Sequence, residues 1–221
     1  MWMLNRIRFS LCAVPVISIA CRGADLSTNN PAEGRVELER PVPSLWESGM
    51  GEGFRSSAQS VSLEAGAVNG IAILGGVHAH DIALTTVSYG HMLGHTVGEG
   101  HFYRGNWELR GELFGGVEFA PSSEWVIGAA PHLRYNFATG TRFVPYIDAG
   151  AGVTATSIGP PDLSNIFEFN LQGTAGLQIF LQDNLALTVE ARFLHMSCAG
   201  ISDPNRGVNG VAGLIGLTFL F

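Results

Sequence analysis

Three polar side chains near the end of the 221-residue sequence have types that suit ester hydrolysis. His195 and Ser197 are separated by one residue, and Asn209 follows later. A serine hydroxyl becomes a nucleophile when a histidine accepts its proton, and the histidine needs an acceptor for its other ring nitrogen. An asparagine carbonyl oxygen can be that acceptor. The three residues therefore predict a serine esterase, provided that the fold brings them together.

Apolar and polar residues alternate from residue 58 onward, which is typical of β-strands with one apolar face. The alternating segments predict eight strands, over 58–68, 80–93, 105–120, 124–138, 142–157, 165–181, 184–198 and 207–221. Each segment reaches the ~9–11 residues that a tilted membrane strand needs. We therefore expect an all-β fold, an eight-stranded antiparallel outer-membrane β-barrel with a polar packed lumen.

The alternation also assigns an inside and an outside to this barrel. In strands three to eight the odd-numbered residues are mostly apolar and are predicted to face lipid, whereas acids and arginines at even positions pair in the lumen. The chain ends on Phe221, which resembles the C-terminal signal of outer-membrane proteins. The alternative is a soluble sandwich or lipocalin-like barrel, and in a soluble barrel the polar face would be outside and the apolar face inside. Aromatic residues that fit interfacial girdles are Tyr103, Trp107, Trp125, Tyr135, Phe137 and Tyr146.

His195 and Ser197 break the alternation, because they continue the lipid-facing set of strand seven although they are polar. Polar groups on a lipid-facing wall are costly and need an explanation. Asn209 has the same parity at the adjoining end of strand eight. With both termini in the periplasm, strand seven ends outside the cell, so the three residues are predicted to lie on the outer wall at the extracellular rim. Ordinary polar residues at the headgroup level are the alternative interpretation.

The segment 192–209, RFLHMSCAGISDPNRGVN, resembles the PagL-type lipid A 3-O-deacylases, also known as acyloxyacyl hydrolases. Their motif is His-x-Ser-Asn-Ala-Gly, then Pro-Asn-x-Gly, then an acid two positions later; it stands here at 195–200 and 204–209. The resemblance extends over the predicted barrel and implies an outer-membrane enzyme that hydrolyses an ester-linked 3-hydroxyacyl chain of lipid A. It implies Ser197 as the nucleophile and His195 as the base, and we expect no cofactor.

Two positions depart from this motif. Asn209 stands in place of the acid, and Cys198 replaces an asparagine that helps to form the oxyanion hole. A neutral residue at 209 stabilises the imidazolium less, so we expect slower turnover and a gain in activity from Asn209→Glu. The backbone N–H groups of Ala199 and Gly200 are expected to replace the missing oxyanion donor. The departures leave open a non-catalytic structural or adhesive barrel. A further alternative is a lipoprotein or soluble barrel that binds an apolar ligand.

The residues before the barrel differ in composition from the rest. Residues 1–20 carry two arginines and then an apolar run, which predicts a secretory signal peptide whose removal leaves Cys21 first. A lipoprotein acylated at Cys21 is the alternative. Residues 21–57 are rich in proline, glycine and polar residues and predict a flexible periplasmic leader. The domain order is therefore signal peptide, leader and a barrel over 58–221.

The charge of the chain excludes one class of partner. All 12 basic residues are arginines, against 19 acids, and the net charge is −7. The chain therefore lacks the basic footprint that nucleic-acid binding needs. The expected partners are the substrate, lipid A or lipopolysaccharide, and outer-membrane lipids. We expect no metal site, because the candidate histidines are scattered over both ends of the barrel. They are His78, His80, His91, His95 and His101.

Overall fold

The structure, a computed structural model, describes residues 44–221. The predicted signal peptide, Cys21 and most of the predicted leader lie outside the described residues. The described chain forms a closed barrel of eight antiparallel strands in sequence order, in which β1 also pairs with β8. The strands are β1 (Gln59–Gly70), β2 (Asp81–Val97), β3 (Gly105–Ala120), β4 (Trp125–Phe137), β5 (Phe143–Thr156), β6 (Phe167–Gln182), β7 (Leu185–Ser197) and β8 (Val208–Leu220). The predicted fold is confirmed.

The predicted strands match the observed ones closely, with β2 as the main exception. β2 continues to Val97, whereas the alternation ends at Leu93. Gly94 and His95 interrupt the apolar pattern, and the structure passes this point with a shift in the β2–β3 register. Gly94 takes a φ of 75°, a backbone conformation that favours glycine. A strand with such an irregularity has no continuous period of two, which is why the sequence placed its end too early.

Side chains alternate between the outer wall and the lumen as predicted. In β3, Leu113 is 61% exposed on the outer wall, while the neighbouring Glu112 is buried in the lumen. Tyr146 corrects one expectation, since it is not part of an interfacial girdle. It occupies an even position, is 1% exposed and donates a hydrogen bond of 2.7 Å to Glu190. The location of Tyr146 in the lumen follows from its even-numbered position in the strand and not from its aromatic ring.

The lumen is filled in three layers. Glu118 and Glu168 are buried toward the loop-bearing end near Ala120 and Phe167, but most charged groups lie in the middle layer. There, buried acids surround buried arginines; Arg192, for example, contacts both Glu112 and Glu190, at 2.5 and 2.6 Å. The layer consists of Glu64, Glu108, Arg110, Glu112, His132, Arg134, Asp148, Glu190 and Arg192. Apolar clusters fill the lumen above and below it, because even-numbered residues near the strand ends are often apolar as well. The polar lumen predicted from the sequence therefore describes the middle of the barrel.

Residues 44–57, here called the plug, close the end of the barrel where β1 begins and β8 ends. Trp46 stacks on Phe54 with ring centroids 4.4 Å apart and meets Phe180 of the lumen edge-on at 4.7 Å. Its indole N–H donates to the carbonyl of Asp183 at 3.1 Å. The composition of residues 44–57 predicted part of a flexible leader, whereas the structure packs them against the barrel. Two buried aromatic rings hold the segment in place, although they stand among glycine and polar residues that show no periodicity.

No helix in the described part of the chain is long and apolar enough to cross a membrane.

Candidate active site

The three candidate residues lie at the end of the barrel opposite the plug, here called the loop end. The loops at this end span 71–80, 121–124, 157–166 and 198–207. β7 and β8 are neighbours, and their register places His195 directly opposite Asn209. Ser197 is the last residue of β7 and shares the parity of His195. Strand pairing thus positions all three, because one register fixes two of them and the period of two fixes the third.

The structure brings these three side chains into one hydrogen-bonded row. His195 Nε2 lies 3.0 Å from Ser197 Oγ, and His195 Nδ1 lies 2.7 Å from Asn209 Oδ1. Asn209 is 1% exposed, whereas His195 and Ser197 are half-buried. When Nδ1 donates its proton to the amide oxygen, the lone pair of Nε2 faces the serine hydroxyl. That tautomer is the one a general base needs.

The residues expected to supply the oxyanion hole form a tight turn directly after Ser197. The N–H of Ile201 donates to the carbonyl of Cys198, and Ala199 and Gly200 between them have φ angles of 54° and 78°. The Cys198 N–H is already used, since it donates to Asn205 Oδ1 at 3.1 Å. Within residues 44–221 no backbone hydrogen bond uses the N–H groups of Ala199 or Gly200. The Gly200 N–H is directed to the Cys198 thiol instead, so the Ala199 N–H is the group that is available for a developing negative charge.

The side chain of Cys198 is directed into its own loop. Its thiol donates to the carbonyl of Ser202 at 3.2 Å and lies 3.7 Å from the hydroxyls of Ser164 and Ser202. Burial raises the pKa of the Cys198 thiol, but hydrogen bonds donated to its sulfur by the backbone N–H groups of Ser202 and Gly200 and by the two serine hydroxyls hold the pKa below its ordinary value. The thiol's contacts include neither His195 nor Ser197. Cys198 therefore shapes the loop that follows Ser197.

An apolar groove of about 600 Å³ lies beside Ser197 on the outer wall. It adjoins the serine because Phe169, one of its lining residues, is the β6 partner of Ser197. Its apolar lining consists of Ile166, Phe167, Phe169 and Ile201, all of which are exposed. Polar groups from Ser164 and Asn165 stand at the same groove. Such a lining suits an alkyl chain with a polar head, and sequence alternation alone gave no sign of it.

The loop end also holds a cluster of histidine and carboxylate side chains that the alternation of residues did not indicate. His80 Nδ1 lies 2.5 Å from Glu118, and His80 Nε2 lies 3.3 Å from Asp162. His78 Nδ1 lies 2.9 Å from the same Asp162 carboxylate. The main-chain carbonyl of Asp162 in turn accepts the N–H of Gly207, at 3.2 Å. The cluster therefore ties the 71–80, 157–166 and 198–207 loops together around the site.

The other three candidate histidines, His91, His95 and His101, stand apart from this cluster, in β2 and in the turn that follows it. Among residues 44–221, no group of three or more histidine, cysteine, aspartate or glutamate side chains is arranged to hold a metal ion.

The closed barrel and the row of polar groups on its outer wall define a class of protein, an outer-membrane barrel with a hydrolase-like site. A family model described as lipid A 3-O-deacylase (PagL) matches residues 84–218, and the chain belongs to that family. A relative from Bordetella bronchiseptica, strain ATCC BAA-588 / NCTC 13252 / RB50, described as lipid A deacylase PagL, is 30% identical over 132 residues. That match covers 55% of this chain and 67% of the relative.

Two solved structures share the fold. One is the crystal structure of the outer membrane enzyme PagL, with a TM-score of 0.52 and 22% identity over 72% of this chain and 98% of that one. The other is Neisserial surface protein A, with a TM-score of 0.55 and 16% identity over 75% of this chain and 100% of that one. The resemblance seen in the sequence is thus confirmed, and the family and barrel place the chain in the bacterial outer membrane.

Proposed function

We propose that this chain hydrolyses an ester-linked 3-hydroxyacyl chain of lipid A, with Ser197 as the nucleophile and His195 as the general base. Asn209 orients the imidazole. The observation that carries the proposal is the row Ser197–His195–Asn209, with contacts of 3.0 and 2.7 Å. Family membership supplies the substrate class, since the matching model is that of a lipid A 3-O-deacylase.

The reaction proceeds in two steps through an acyl-enzyme. Ser197 Oγ attacks the ester carbonyl carbon while His195 Nε2 takes the hydroxyl proton. The tetrahedral intermediate then releases the sugar oxygen, which receives that proton from His195, and the acyl chain stays on Ser197. In the second step His195 takes a proton from water, the resulting hydroxide attacks the acyl carbon, and Ser197 leaves with the proton returned. The products are a free 3-hydroxy fatty acid and a lipid A with one fewer acyl chain.

The surroundings of the row support a substrate that arrives from the membrane. The loop end is expected to face the outer leaflet, and the outer wall below the site is apolar, so a lipid can reach Ser197 without leaving the bilayer. The groove beside Phe169, with its apolar lining and a volume of about 600 Å³, suits the acyl chain. The Ala199 N–H group is the donor that we assign to the oxyanion.

Mass spectrometry of lipid A from cells that make the wild-type chain or a variant tests this function. We expect the wild type to remove one 3-hydroxyacyl chain and Ser197→Ala and His195→Ala to remove none. The nucleophile and its base act as a unit, and the loss of either can reach about 10⁶-fold. Ser123→Ala is the matched control, because this exposed serine lies in the 121–124 loop at the same end. Deacylation by Ser197→Ala at the wild-type rate would overturn the proposal in favour of a non-catalytic barrel.

A further inference from the structure

The side-chain amide of Asn209 has a second partner, and that partner fixes the orientation of the amide. Its Nδ2 donates to the main-chain carbonyl oxygen of Ile73 at 2.7 Å, while its Oδ1 accepts from His195 at 2.7 Å. A main-chain carbonyl oxygen can only accept a hydrogen bond. The NH₂ group must therefore face Ile73, and the amide oxygen must face the histidine.

Ile73 presents this carbonyl from a tight backbone turn, residues 73–76. The N–H of Gly76 donates to the same oxygen at 2.9 Å. Leu74 and Gly75, between them, have φ angles of 49° and 95°, the positive values of a type I′ turn. The backbone itself thus holds the acceptor in place, and no side chain of the loop is needed for it.

We propose that the 73–76 turn is a positioning element that selects the catalytic tautomer of His195 and makes position 209 specific for an amide. This inference rests on the proposed esterase function. With the amide oxygen toward Nδ1, that nitrogen carries the proton, and Nε2 can accept the proton of Ser197. With the amide reversed, its NH₂ group would donate to Nδ1, and the proton would move to Nε2, where it blocks the base.

A carboxylate at position 209 conflicts with this turn. In Asn209→Asp, one oxygen would replace Nδ2 at 2.7 Å from the Ile73 carbonyl, so that two acceptors would face each other. The position is 1% exposed, which leaves little room for water to separate them. The other oxygen of the carboxylate would keep only the His195 Nδ1 proton as a partner, and burying a carboxylate with one oxygen unpaired is costly. The inference therefore opposes the gain in activity that the sequence led us to expect from Asn209→Glu.

Gly76→Ala tests the turn without altering any group of the row. A Cβ at Gly76 would lie 2.9 Å from Asn209 Nδ2 and 3.0 Å from the carbonyl of Gly207, so the amide must shift. Gly159→Ala is the matched control at the same end, since the nearest atom that its Cβ would meet lies 3.9 Å away. In the purified full-length barrel acting on lipid A, we expect Gly76→Ala to lower kcat about tenfold with little change in KM, because small misplacements are costly in the transition state.

The tautomer itself gives a second measurement that a purely structural role would not move. Nitrogen NMR of the histidine-labelled wild type in detergent micelles should show His195 protonated on Nδ1 alone. Gly76→Ala should show a mixture of both tautomers, and Gly159→Ala should match the wild type. Asn209→Asp, which keeps the size of the side chain, should lower kcat at least tenfold.

The outcomes separate this inference from the proposed function. If Gly76→Ala keeps the wild-type kcat and tautomer, or if Asn209→Asp equals or exceeds the wild type, the turn does not position the base. Either result leaves the roles of Ser197 and His195 intact. Retained activity in Ser197→Ala would instead overturn the proposed function. If Gly76→Ala fails to fold, as judged by its electrophoretic mobility with and without heating, Asn209→Asp alone decides.

Discussion

Arg192 and His195 stand three residues apart on β7, and their polar groups are accommodated in different ways. Arg192 points into the lumen, where it contacts Glu112, Glu190 and Gln172. His195 points to the outer wall, where its two ring nitrogens form hydrogen-bond contacts with Asn209 and Ser197. In both places one partner lies on β7 itself, Glu190 or Ser197, and further partners come from other strands. The lumen set stabilises the barrel, whereas the outer set leaves a serine hydroxyl open to the surroundings.

Replacement of Arg192 in the lumen should destabilise the barrel strongly. Arg192→Met leaves the carboxylates of Glu112 and Glu190 buried without their main partner, a change that typically costs about 3–5 kcal/mol. Urea unfolding in lipid vesicles measures the loss. Arg142→Met, at an exposed position in the 138–142 turn, should unfold like the wild type. Equal stability of both variants would show that the middle layer of the lumen does not depend on this arginine.

At the scale of elements, the structures of the plug and of the 71–80 loop could not be predicted from the sequence. The period of two located the strands and the facing of their side chains, so it also placed His195, Ser197 and Asn209 together. It gave no information on residues 44–57, because the two anchoring aromatics there follow no period. The sequence also gave no sign that the Ile73 carbonyl contacts Asn209, since every residue carries a main-chain acceptor with the same chemistry.

The plug should detach when its main anchor is removed. Trp46→Ala removes the ring that packs between Phe54 and Phe180, with a loss of about 3 kcal/mol, so the detached fraction rises roughly a hundredfold. Limited trypsin digestion should then cut after Arg55 while the strands stay intact. Phe102→Ala is the control, since that ring is 96% exposed in the turn between β2 and β3. Equal cleavage of the wild type would contradict a packed plug.

At the scale of the whole molecule, the lumen and the outer wall have different roles, and the residues in each differ with height along the barrel axis. The lumen contributes rigidity along its whole length, with most of its charged groups at mid-height and apolar clusters on both sides. The outer wall contributes the apolar surface that faces lipid, and only its rim at the loop end carries the polar row. A site on the outside of a filled barrel needs no opening in the barrel, since its substrate is dissolved in the surrounding bilayer. The proposed chemistry and the rigid lumen therefore do not compete for the same residues.

This arrangement predicts that the cost of a charge on the outer wall depends on its height. Leu113 lies midway along β3, whereas Leu181 is the penultimate residue of β6, and both side chains are exposed on the wall. Leu113→Arg should destabilise the barrel in lipid vesicles by about 2–4 kcal/mol, and Leu181→Arg by at most about 1 kcal/mol, because the cost of a charge falls toward the interface. Urea unfolding of both variants in the same vesicles gives the comparison. If the two variants lose the same free energy of unfolding, the middle of the wall does not lie in the hydrocarbon layer. The proposed substrate would then have to reach Ser197 from water.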